Sequence, residues 1–267
     1  MTDEFLPVHR ALIDSVPLAE GSVIRTESIS YSDAGNPFEG YLASDEAAAT
    51  TARPAVLVLH DWSGEGEFVR ARAQMLARLG YLAFAADLYG TGIRPQGDDA
   101  AKLAHSYYAD LPTLRQRVQM AFDLLRADPR VDPERIAVIG YCFGGSAALE
   151  FARTGAPVAG TVSFHGGLIA HEPSDVEAIR SPLLVLSGAA DPVVPDEAVI
   201  AFENELRTNP ALDWQIVLYS GAPHAFTLPA TPNYRATADA RSWAALQAFL
   251  SEVLARPEPG VDAARRG

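Results

Sequence analysis

Cysteine is nearly absent from this 267-residue chain, which has one, Cys142. No disulfide can form within the chain, so nothing points to an oxidising compartment. Lysine is as scarce, with Lys102 alone, and arginine supplies the rest of 21 basic residues set against 34 acidic ones. The net charge of −13 argues against nucleic acid or an anionic membrane surface as partner. No apolar run approaches the ~20 residues needed to span a bilayer. The acidic start, Met1-Thr2-Asp3-Glu4-Phe5, has neither the basic nor the apolar segment of a secretory signal. There is no G-x-G-x-x-G, no phosphate-loop lysine and no histidine pair at metal-ligand spacing, so no cofactor and no metal are expected. Repeats, low-complexity linkers and composition breaks are missing too. The expectation is a soluble, cytoplasmic protein with one domain over residues 1–256, an N-terminal arm at about 1–22 and a flexible tail at 257–267.

What is present is an alternation of apolar runs and amphipathic stretches. Ile24 to Ser32 and Phe38 to Ala43, joined by Asp33-Ala34-Gly35-Asn36-Pro37, predict a hairpin. Pro54 to Leu59, Tyr81 to Ala86, Arg135 to Ile139, Val158 to Phe164 and Pro182 to Gly188 read as strands, the most continuously apolar of them buried on both faces; Asp213 to Tyr219 alternates as one more. Helices are predicted at Phe68 to Leu79, Asp98 to about Ala127 (divided at Pro112), Pro195 to Leu206 and Tyr234 to Ala255. Strands alternating with helices imply an α/β fold with a mostly parallel sheet covered on both faces.

The stretch Gly140-Tyr141-Cys142-Phe143-Gly144 ends one of these strands and opens a helix. It is the G-x-S-x-G turn with cysteine in place of serine, which exposes a nucleophile beside free backbone N–H groups. A thiol must be deprotonated before it attacks, an imidazole can do so, and a carboxylate can fix that imidazole's tautomer. Asp191 and His224 each follow a later predicted strand, in the order nucleophile, acid, histidine. Each has a plainer alternative, Cys142 as a core thiol, Asp191 as a turn cap and His224 as a loop residue; the agreement of all three favours a triad. The N–H of Phe143 and that of Trp62, after the strand ending at Leu59, are the expected oxyanion donors.

The chain resembles the dienelactone hydrolase (carboxymethylenebutenolidase) family of the α/β-hydrolase superfamily. The resemblance rests on His60-Asp61-Trp62-Ser63-Gly64, Gly80-Tyr81, Asp87-Leu88-Tyr89-Gly90, Gly140-Tyr141-Cys142-Phe143-Gly144-Gly145, Gly188-Ala189-Ala190-Asp191 and Gly221-Ala222-Pro223-His224-Ala225-Phe226. It implies a Cys142–Asp191–His224 triad that hydrolyses a small-molecule ester or lactone through an acyl-cysteine. A family glutamate that contacts the thiol falls at Asp61, which is therefore expected to tune the nucleophile. The family's substrate-binding arginines have no counterpart after His224, and only Arg94 and Lys102 lie near the second position. Dienelactone specificity is accordingly not carried over. The alternative reading is a non-enzymatic ligand-binding or regulatory protein on this scaffold. Oligomeric state is not legible.

Overall fold

The structure, a computed structural model, describes residues 5–47 and 52–256; the tail expected at 257–267 lies outside them. A short helix, α1 (Pro7–Asp14), precedes the hairpin of β1 (Ile24–Asp33) and β2 (Asn36–Asp45). Its two-residue turn, Ala34-Gly35, has positive φ at both positions (47° and 84°), the backbone twist that two-residue hairpins favour.

Six further strands follow: β3 (Arg53–Leu59), β4 (Leu82–Ala86), β5 (Val131–Tyr141), β6 (Gly160–Phe164), β7 (Leu183–Gly188) and β8 (Trp214–Tyr219). The helices between and after them are α2 (Glu67–Arg78), α3 (Gly97–Tyr108), α4 (Leu111–Arg126), α5 (Phe143–Ala152), α6 (Asp196–Leu206) and α7 (Ala236–Val253). All eight strands join one sheet in the order β1-β2-β4-β3-β5-β6-β7-β8. β2 runs antiparallel to both neighbours and the remaining pairings are parallel. This is the α/β fold expected.

Successive strand residues point to opposite faces. Val56 and Val58 of β3 pack with α2 and α7 on one side, whereas Ala55, Leu57 and Leu59 pack with α4 and α5 on the other. That double burial is why the central strands read as unbroken apolar runs.

One strand boundary differs clearly from expectation. β5 begins at Val131, not Arg135, and runs through Asp132-Pro133. Proline lacks the ladder N–H, and the β3–β5 register shifts between Arg53 and Ala55. The stretch around Pro112 forms two separate helices, with Pro112 in the first turn of α4 and the Asp110 carboxylate accepting the Thr113 N–H at 3.2 Å.

From β3 the chain crosses to β4 on one side and then returns to β5 on the other. This reversal leaves a crevice beyond the carboxyl ends of β3 and β5, where sheets of this kind bind ligands. The loop after β3 and the turn after β5 form its floor.

Candidate active site

Cys142 caps α5 with φ 54° and ψ −115°, a conformation that a residue with a side chain adopts only when its surroundings impose it. The glycines around it are sterically required. A Cβ at Gly140 would overlap the Gly144 carbonyl, and one at Gly144 would overlap the carbonyls of Leu59 and His60. Strand, turn and helix can therefore pack this tightly only without those side chains. Of four non-glycine residues with positive φ among the described residues, Cys142, His165 and Ala225 sit here and Ala34 is in the hairpin.

The structure brings together the three residues that the sequence left 49 and 33 positions apart (191 − 142 and 224 − 191). His224 Nδ1 lies 2.8 Å from Asp191 Oδ2, and its Nε2 lies 3.0 Å from Cys142 Sγ. The other oxygen of Asp191 accepts the N–H groups of Val193 (2.8 Å) and Val194 (3.1 Å), which orients the carboxylate. Burial works against the His224 imidazolium, but hydrogen bonds to Asp191 and Cys142, with the charges on both, outweigh it and raise its pKa to about 10. The imidazole thus stands between the carboxylate and the sulfur, with one ring nitrogen against each.

Phe143 and Trp62 both line the cavity above Cys142, and their N–H groups donate to no acceptor among the described residues. Asp61 has other partners than the thiol: its Oδ1 accepts the Ser63 N–H at 2.7 Å and the Ser63 hydroxyl at 2.5 Å. It braces the loop that presents Trp62 while also lining the cavity.

Glu65 and the partners of His165 had no sequence signal. Glu65, fully buried in the same loop, accepts two bonds from Arg70 and one from Arg94, each 2.7 Å. The side chain of Arg94 also lies 3.8 Å from Asp87, and Lys102 faces Asp99 at 3.6 Å, with both lysine and aspartate exposed. Neither cation lines the cavity. His60 is buried between the loops after β3 and β4, its Nδ1 2.6 Å from the Asp61 carbonyl and its Nε2 accepting the Leu88 N–H at 3.1 Å. Burial depresses its pKa. His165 presents its ring at 68° to that of His224, centroids 5.4 Å apart, and meets the Thr227 hydroxyl at 2.8 Å. Burial, then the charge on His224, keeps it neutral. No group of three or more histidine, cysteine, aspartate or glutamate side chains is arranged to hold a metal among the described residues.

A mostly parallel sheet with a nucleophile-type turn after a central strand defines an α/β-hydrolase. A model described as the dienelactone hydrolase family matches residues 38–254, and the chain belongs to that family. The solved structure of a dienelactone hydrolase-like promiscuous phosphotriesterase, P91, from metagenomic libraries is 38% identical with a TM-score of 0.83, covering 87% of this chain and 99% of that one. Protein usf of Aquifex pyrophilus is 26% identical over 205 residues, 75% of this chain and 86% of the relative. A Salmonella typhimurium protein named "Putative carboxymethylenebutenolidase" is 26% identical over 259 residues, 90% of this chain and 92% of the relative. The chain is a hydrolase acting on carboxylic ester or lactone bonds of small molecules. No helix among the described residues is long and apolar enough to cross a membrane.

Proposed function

We propose that the chain hydrolyses carboxylic esters or lactones with Cys142 as nucleophile and an acyl-cysteine as intermediate. One observation carries the reading: His224 bridges Asp191 and the Cys142 sulfur at 2.8 and 3.0 Å. With its proton held by His224, the sulfur attacks the substrate carbonyl carbon, and the carbonyl electrons move to oxygen. The N–H groups of Phe143 and Trp62 receive that oxyanion; a donor of this kind is worth about a hundred- to a thousandfold in rate. Collapse expels the alkoxide, which takes the proton from His224 Nε2. His224, now neutral, removes a proton from water, hydroxide attacks the thioester, and the acid leaves as the sulfur regains its starting state. Asp191 keeps the Nδ1 proton in place throughout.

The test is hydrolysis of a p-nitrophenyl ester by wild type and Cys142→Ala, with intact-mass analysis of quenched reactions. Turnover should vanish in the mutant, and the wild type should gain the mass of the acyl group on Cys142. Undiminished turnover in Cys142→Ala would refute the mechanism. The likeness to P91 favours a secondary activity on neutral phosphotriesters by the same thiol. Paraoxon turnover that survives loss of Cys142 would remove it.

A further inference from the structure

The cavity above Cys142 has a volume of about 690 Å³, within the range of sites that enclose drug-sized molecules. Its walls are mostly hydrocarbon. Leu168 and Ile169 come from the segment after β6, Val193 and Val194 from the loop after β7, and Ala104 from α3. At the edge, Trp62 and Val193 are 42% and 63% exposed, leaving apolar surface in water beside the nucleophile.

The charges are distributed the opposite way. No arginine or lysine lines the cavity among the described residues, whereas the Asp61 carboxylate does. Arg94, the nearest candidate in sequence, is taken up by Glu65 and Asp87. The charge on His224 is matched by its own two partners. The other basic side chain on the wall is the exposed imidazole of His105, so a substrate carboxylate entering this space would lose water and meet no permanent cation.

We infer that this hydrolase takes uncharged esters or lactones with an extended hydrophobic acyl portion, and that the apolar walls and Asp61 together exclude acids. This rests on the assignment of Cys142 as nucleophile. The opposite preference would need a cation where the structure has leucine, isoleucine and valine.

The experiment measures kcat/KM at pH 8, above the ordinary imidazole range. Substrates are p-nitrophenyl acetate, butyrate and hexanoate, and the mono-p-nitrophenyl ester of adipic acid, which matches hexanoate in length but ends in a carboxylate. Each added methylene should raise kcat/KM by about fourfold until the cavity is filled. The adipate ester should fall about a hundredfold below the hexanoate ester. Asp61→Asn keeps an oxygen for Ser63 but removes the charge, and Val193→Arg adds a cation at the mouth; each should narrow that gap by about tenfold. Equal or better turnover of the adipate ester by wild type, or a flat chain-length series, would overturn the inference.

A second measurement separates this inference from the mechanism. Binding of the two six-carbon esters to Cys142→Ala is read by quenching of tryptophan fluorescence. Tighter binding of hexanoate supports the inference even if no ester is turned over through Cys142. Equal or tighter binding of adipate refutes it even if Cys142 is the nucleophile.

Discussion

Two buried acid–base clusters lie within one loop of each other and differ in how completely they are satisfied. Around Glu65, both carboxylate oxygens are occupied by guanidinium groups at 2.7 Å, and Arg94 also faces Asp87. Around Cys142, Asp191 is likewise saturated, by His224 and two backbone N–H groups. The chain of bonds then ends at a half-buried sulfur open to a cavity that is also lined by Phe143 and Trp62, whose N–H groups have no acceptor among the described residues. The first cluster has nothing left to bind and holds two loops together. The second has unused capacity on the side where the proposed mechanism puts the substrate carbonyl. Unsatisfied donors, more than buried charge as such, distinguish the region that we propose to be reactive.

Mutations should separate the two clusters. The largest effect on activity is expected at His224: His224→Gln should lower kcat/KM for a p-nitrophenyl ester by about a thousandfold or more. A drop of only a few-fold in steady-state assays would place the essential base elsewhere. Glu65→Gln should do the reverse. It leaves two guanidinium groups facing an uncharged amide and should cost about 2–3 kcal/mol in urea unfolding, the low end for a buried pair because both arginines are partly solvated. A loss under about 0.5 kcal/mol would show that the cluster is not structural.

The pH dependence of stability gives a third contrast. The folded pKa of His224, about 10, lies above its ordinary 6.5, so its stabilising contribution is complete below pH 6.5 and fades as pH rises through 10. The stability difference between wild type and His224→Gln should therefore shrink from pH 6.5 to 10, as read by denaturant titration; a constant difference would contradict the raised pKa. The smallest effect is expected for Arg94→Lys. It should weaken the Glu65 cluster by about 1 kcal/mol because a single ammonium cannot meet Glu65 and the Ile93 carbonyl as the two guanidinium nitrogens do. The ratio of adipate to hexanoate turnover should stay unchanged; a shift would mean that Arg94 does reach substrate.

Much of the site was legible because its constraints are local. Gly140 and Gly144 flank Cys142 in one pentapeptide, and each marks a steric need that the folded chain displays. Asp191 and His224 were legible through their places at the ends of strands, since a parallel sheet delivers all its strand ends to one side. Glu65 was not, because its partners lie five and 29 residues away and nothing in the loop announces them. The same holds for His165, whose role depends on Thr227 and on the ring of His224. Asp61 shows the limit from the other direction. Its position in the family pattern suggested a thiol contact, but its shorter side chain forms bonds to Ser63 two residues on.

By itself, then, the sequence determined the α/β alternation, the turn that exposes a thiol and the order of its partners, because periodicity and tight turns are properties of neighbouring residues. The tertiary structure decided which arginines are spent on buried carboxylates and which side chains wall the cavity. Those outcomes depend on segments far apart in the chain competing for the same partners and the same space. The glycine-flanked turn at Cys142 was therefore readable along the chain, whereas the walls of the cavity emerge only from the assembled fold.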